Sequence, residues 1–221
     1  EALFREFIQR DEVVKQKSTL LMKKKASNGV KRIILASKSP WRKKILATTG
    51  ILFSVEKSGY KENMNLKLAP PALAKKLALG KAMAVASRHK NAVVIGADTF
   101  VVFKGKILGK PRTPKLAREM LKNLSGTTHS LLTGFAIVDS KTGRHITKSV
   151  STKVAFRKLS LRKIDAYVKT GEPLRAAGGY AIQGGGSKLI KGIKGDYDNV
   201  VGLPLKELLV QLGKFGMELS R

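Results

Sequence analysis

The 221-residue chain contains no cysteine. Disulfide frameworks, thiolate metal sites and cysteine nucleophiles are therefore excluded, and any metal must sit on oxygen or imidazole. Acids are scarce as well: 15 Asp and Glu stand against 44 Lys and Arg, for a formal charge of +29. Aromatic residues make up only 6% of the chain, with a single Trp, so there are few platforms on which single-stranded bases could stack. No apolar run reaches the length of a membrane span. The three histidines, His89, His129 and His145, are too scattered to form a metal set and read as structural.

What is present in excess is positive charge, which invites a nucleic-acid-binding reading. Residues 1 to 30 hold seven Lys/Arg and four Asp/Glu, so nearly all of the excess is spread over the remainder rather than held in a tail. A solvated basic surface, with nonspecific nucleic-acid contacts at most, is the plainer account; a basic nucleic-acid-binding protein without catalysis is the rival. Residues 2 to 24 read as a basic amphipathic helix with Leu3, Phe7 and Val14 among its apolar positions, and "KKKASNG" reads as the linker that ends it. The chain accordingly divides into an appendage, 1 to 30, and a domain, 31 to 221. The first segment mixes both charge signs and lacks the apolar core of a signal peptide, which points to the cytoplasm.

From Lys31 onward, strands and helices alternate. Strands are expected at 32 to 36, 51 to 55, 91 to 98, 100 to 103, 130 to 138 and near 145 to 156. Helices are expected after Ser39-Pro40 up to Gly50, over the alanine-rich segment 70 to 88, from Thr113-Pro114 to Gly126, and over "LPLKELLVQL", where Leu205, Leu208, Leu209 and Leu212 form one stripe. "DSKTG" at 139 to 143 reads as a hairpin turn. The fold class is α/β, with strands of mixed direction.

Three features carry chemistry. The first is "ASKSPWR", where a strand runs into a helix and gathers the Ser37 and Ser39 hydroxyls, unpaired first-turn amides and the positive end of the helix dipole, with Arg42, Lys43 and Lys44 one turn on. This reads as an anion site and equally as a plain helix cap. The second is Asp98, which closes the apolar run "VVIGAD" and is the only carboxylate between residues 63 and 118. Such an acid needs a cation or a proton to handle; pairing with a nearby lysine is the bland alternative. Brought together with Glu62, the preceding acid, it would hold a hard divalent ion that shares its ligation with water and phosphate. The third is "GGYAIQGGG", whose glycines permit close backbone approach to a ligand and whose Gln183 offers an amide able to donate to and accept from a base edge. Lys81 and Lys110 flank Asp98 in sequence, though lysines are plentiful here.

Taken in order, "ASKSPWR", "KA" at 81, "GADT", "GKP", "LSGTTHSLLTG", "GGYAIQG" and "GDYDNVVGLPL" make the chain, over about 31 to 212, similar to the Maf family of nucleotide pyrophosphatases. The resemblance implies a mixed sheet flanked by helices, related to the inosine triphosphatases. It also implies a divalent cation (Mg²⁺ or Mn²⁺), homodimers, and hydrolysis of nucleoside triphosphates to the monophosphate plus pyrophosphate. It makes Asp98 the proton acceptor and Glu62 its partner acid, both toward the metal. Lys110 becomes a catalytic lysine, and Ser37, Ser39, Arg42 and Lys81 become substrate contacts. Three positions set base preference in the family. Trp41 matches the branch acting on 7-methyl-GTP, and its indole either stacks on a base or packs against the helix; Thr99 and Gln183 match the dTTP/UTP branch. The resemblance thus favours dTTP and UTP, with 7-methyl-GTP as the alternative. One departure stands out: "PLRAAGG" puts Arg175 and Ala176 where the family commonly has an acid and a lysine, a change that bears on catalysis.

Overall fold

The computed structural model describes residues 31–217; the appendage proposed for 1 to 30 lies outside them. A seven-stranded mixed sheet forms the centre, with strand order β2-β1-β3-β5-β6-β7 and β4 paired to β3. The strands are β1 (Arg32–Leu35), β2 (Phe53–Val55), β3 (Ala92–Phe103), β4 (Lys106–Leu108), β5 (Thr128–Asp139), β6 (His145–Phe156) and β7 (Ile190–Lys194). β1 runs parallel to β2 and β3, and every later pairing is antiparallel. The helices are α1 (Pro40–Ala47), α2 (Pro70–Ala86), α3 (Pro114–Leu124), α4 (Leu161–Lys169), α5 (Tyr197–Val201) and α6 (Leu205–Gly213). Among the described residues no helix is long and apolar enough to cross a membrane.

Strand alternation divides the core. Val93, Ile95, Ala97 and Val101 of β3 pack with residues of α1, α3, α4, α5 and α6 on one face. Ala92 and Val94 meet the alanines of α2 on the other, and Phe100 meets Leu73, Ala74 and Leu77 there. The alanine richness of α2 has a steric purpose. A Cβ built on Gly96 would lie 2.3 Å from the Ala78 carbonyl oxygen, and one built on Gly134 would lie 2.3 Å from the Ala74 carbonyl carbon. Helix backbone therefore rests directly on strand backbone at two points.

The caps follow the sequence grammar: Ser39, Thr113 and Ser160 each accept a first-turn amide at the start of α1, α3 and α4. Two strand expectations need correction. The segments 91 to 98 and 100 to 103 are one continuous strand, and Asp98 lies within it, paired with Gly134, rather than at its end. The polar pair Asp98-Thr99 does not break the ladder because each side chain finds a partner on its own face. The elements α4, α5, β4 and β7 have no counterpart among the expected ones.

Of the three histidines, His129 is built into the core. His129 is buried against Phe156 and Tyr180, with Nε2 2.6 Å from the Tyr180 hydroxyl. Burial depresses its pKa from 6.5 to about 4. The unfolded chain then binds more protons than the folded one between those values, so stability is expected to fall as pH drops from 6.5 toward 4, by about 2 to 3 kcal/mol. Thermal melts across that window check this, and His129→Gln should flatten the slope.

Candidate active site

β1 ends at Leu35, opposite Ile95 of β3, and the Ala36 amide donates to the Ile95 carbonyl at 2.8 Å. Beyond that point β3 runs on while the segment after β1 turns into the Ser37–Arg42 corner, opening a crevice at the carboxyl ends of the parallel strands β1 and β2. Such crevices are where open α/β sheets bind ligands. The cavity here has a volume of about 520 Å³. Its lining includes Ser37, Ser39 and Arg42 from the corner, Lys57, Tyr60 and Glu62 from the segment after β2, and Lys81 and Lys110.

At the corner both serine hydroxyls work as acceptors. Ser37 Oγ accepts the Ser39 amide at 3.1 Å, and Ser39 Oγ accepts the Arg42 amide at 3.4 Å. The capping and anion-binding readings are therefore compatible, since a hydroxyl that accepts from the backbone still has its own proton to donate. Arg42 is pinned from three sides: Nε donates to the Gly202 carbonyl at 2.8 Å, Nη2 to Thr99 Oγ1 at 3.0 Å and Nη1 to Ser37 Oγ at 3.5 Å. Burial lowers its pKa, while Asp98 and Glu62 act in the opposite sense; a guanidinium stays charged under such pressure.

Facing the corner is a carboxylate–ammonium–carboxylate chain. Lys81 Nζ, on α2, donates to Asp98 Oδ1 at 2.6 Å and lies 2.9 Å from Glu62 Oε1. The close seat of α2 on the sheet is what brings Lys81 to the buried Asp98. Glu62 arrives on a segment held to the same helix. The Tyr60 ring lies so close to Gly80 that a Cβ there would meet it at 2.3 Å, and just past the helix end Arg88 donates to the Lys57 carbonyl at 2.9 Å and to Glu56 Oε1 at 2.6 Å. Asp98 Oδ2 is buried with no protein partner.

That orphaned oxygen tests whether a metal fits. Among the described residues no group of three or more His, Cys, Asp or Glu side chains gathers as a metal site, so an all-protein cage is ruled out there. A Mg²⁺-type ion, which keeps waters and substrate oxygens, needs only one or two carboxylates. Asp98 Oδ2 and Glu62, whose side chain is 43% exposed, supply that set beside the cleft, so the residues present fit such an ion.

Most of the residues expected from sequence converge here. Ser37, Ser39, Arg42, Glu62, Lys81 and Lys110 line the cavity, with Asp98 directly behind Lys81. Trp41, Thr99 and Gln183 are absent from the lining. Thr99 faces the opposite side of the sheet from Asp98, bonded to Arg42 and, at 3.0 Å, to Thr133. Gln183 Nε2 reaches the Val201 carbonyl at 3.5 Å, next to the Gly202 that holds Arg42. Trp41 packs against the core, with Lys44 Nζ 5.2 Å from its ring centroid. The glycines after Gln183 correct an expectation: they approach protein atoms, not a ligand space, a Cβ at Gly184 falling 2.5 Å from Glu172 Oε2 and one at Gly186 2.5 Å from the Ala181 carbonyl oxygen. Sequence reasoning missed Lys38 and Lys57, which also line the cleft; Lys57 lowers the pKa of Lys38 through a side-chain contact and charge repulsion. Two like charges held together at a cleft are relieved by an anion. Lys38 stood inside "ASKSP", but among so many lysines composition could not single it out.

A family model described as "Maf-like protein" matches residues 32–215. Curated relatives named dTTP/UTP pyrophosphatase include one from Moorella thermoacetica, 46% identical over 187 residues, which span 85% of this chain and 96% of that one. Another, from Desulforamulus reducens, is 44% identical, covering 85% of this chain and 98% of the relative. A third, from Bacillus cereus, is 41% identical over 201 residues, covering 91% and 98% respectively.

Proposed function

Because the chain belongs to the Maf-like protein family, we propose that it hydrolyses dTTP and UTP to the nucleoside monophosphate and pyrophosphate, the activity its curated relatives are named for. The observation that carries this reading is the cleft itself, in which a serine–arginine corner and several lysines face a Glu62–Lys81–Asp98 chain across about 520 Å³. The triphosphate tail lies along Ser37, Ser39, Arg42 and Lys110, whose hydroxyl and cationic donors oppose its charge. Water adds across the anhydride between the first and second phosphoryl groups. Its proton passes to Asp98 Oδ2, the P–O bond to the departing pyrophosphate breaks, and Arg42 and the lysines offset the charge that develops there. Lys81 fixes Asp98 through Oδ1 and leaves Oδ2 as the free acceptor. Asp98 and Glu62 would hold a divalent cation, which when bound supplies Lewis-acid polarisation of phosphoryl oxygens.

Base choice falls to the opposite side of β3, where Thr99, Arg42, Gly202 and Gln183 adjoin one another. Trp41, half-buried against the core and absent from the cleft lining, favours this reading over the 7-methyl-GTP alternative, which asks for an indole presented to the ligand. Incubation with Mg²⁺ and a panel of dTTP, UTP, CTP, GTP, ATP and 7-methyl-GTP, with chromatographic resolution of products, tests both points. Pyrophosphate and monophosphate are expected, fastest from dTTP and UTP. Orthophosphate and diphosphate would refute the reaction type, and fastest cleavage of 7-methyl-GTP would refute the base choice. Turnover also decides whether Arg175 and Ala176 are tolerated.

A further inference from the structure

The mechanism leaves one well-connected carboxylate unused. Glu172 begins a 3₁₀ turn, Glu172–Arg175, just after α4. Its Oε1 accepts the Tyr167 hydroxyl at 2.6 Å and the Gly186 amide at 3.2 Å, while Oε2 accepts the Gly185 amide at 3.0 Å. The Tyr167 oxygen in turn accepts the Ala181 amide at 3.1 Å. In a chain with 44 Lys and Arg, these partners are neutral donors fixed in direction. They seize the backbone on both sides of one residue, Gln183, at Ala181 before it and at Gly185 and Gly186 after it. The glycines are required by that grip: a Cβ at Gly186 would fall 2.5 Å from the Ala181 carbonyl oxygen and 2.8 Å from the Tyr167 hydroxyl. Burial and the adjacent Glu172 both raise the Tyr167 phenol well above its usual pKa, so it remains a proton donor across the working range.

We infer that Glu172, acting with Tyr167, is a positioning residue for base selection, holding the Gln183 loop so that its amide meets the edge of a bound pyrimidine. The inference rests on the proposed dTTP/UTP activity and adds to it the group that sets the geometry of the selecting amide. Gln183 bonds the Val201 carbonyl, and the next carbonyl, Gly202, holds Arg42. A loosened loop therefore disturbs the base side first and the phosphate corner only through Arg42.

Glu172→Gln keeps the size of the side chain but turns one acceptor into a donor facing a phenol or an amide. For the full chain, kcat and KM are measured with dTTP, UTP, CTP, GTP and ATP, together with the inhibition constant of pyrophosphate. The expected result is a drop of about tenfold or more in the kcat/KM preference for dTTP and UTP over purine triphosphates. That drop should be carried by KM, with pyrophosphate inhibition unchanged, and Gln183→Ala should produce a similar loss that is not additive with it. An equal fall in kcat for every substrate, with the preference intact, would make Glu172 merely structural and overturn the inference. If Glu172→Gln does not fold, Tyr167→Phe, which removes one donor to the carboxylate and the acceptor for Ala181, is judged by the same criteria. A wild-type protein that cleaves none of the panel overturns the functional reading and this inference with it. A wild-type protein with the expected preference, whose variants keep that preference, overturns this inference alone.

Discussion

Asp98→Asn is expected to lower kcat by about 10²- to 10⁴-fold, the usual weight of a positioned general base, while leaving the protein folded. The amide matches the carboxylate in shape, so the strand and its pairing with Gly134 are unaffected. What disappears is the basicity of Oδ2, the one buried oxygen of this residue that no protein group engages. Lys81 loses one of its two anions but keeps Glu62 at 2.9 Å, so the buried ammonium is not left wholly uncompensated, and only a modest fall in Tm should accompany the kinetic loss. Single-turnover hydrolysis of dTTP with parallel thermal melts separates the two effects. Turnover within threefold of wild type would remove Asp98 from the proton transfer.

The second large effect comes from a residue with no chemistry at all. Gly134→Ala places a methyl group 2.3 Å from the Ala74 carbonyl carbon and 2.4 Å from its oxygen. Both are helix backbone atoms, which no rotamer change can move. α2 must lift away from the sheet, at a destabilisation of about 1 to 3 kcal/mol, the usual range for overpacking. Lys81 rides on that helix directly above Asp98, and a displacement near 1 Å in a catalytic constellation lowers activity on the order of 10²-fold. Denaturant melts and kcat/KM for dTTP check both halves of the expectation. A variant as stable and active as wild type would mean that the helix is not seated on the strands as closely as described. Gly96→Ala, two register pairs along and 2.3 Å from the Ala78 oxygen, should behave alike.

How far the sequence could be read depended on whether a signal was local. The Ser37–Arg42 corner was legible because a Ser-Pro cap and the apolar run before it specify strand, turn and helix within ten residues. The shared site of Glu62, Lys81 and Asp98 came from resemblance, and its physical cause, two glycines that let a helix lie against strands, appears only when elements far apart in sequence are stacked. The break wrongly expected at Asp98-Thr99 has the same origin. Two polar residues look like a strand end unless one knows that Lys81 awaits the first and that Arg42 and Thr133 await the second. The run after Gln183 was read toward a ligand because glycine reports only that something comes close, not what; here it is the carboxylate of Glu172.

Asp98 and Thr99 are neighbours in the chain yet look out through opposite sides of the sheet, one toward Lys81 and the other toward Arg42 and Thr133. A strand so arranged acts as a partition: on the proposed reading, proton transfer falls to one side of it and base choice to the other. Because Arg42 reaches from Thr99 to Ser37, a change at position 99 would be felt at the phosphate corner through that guanidinium, while the Lys81–Asp98 pair on the far face would be left as it stands.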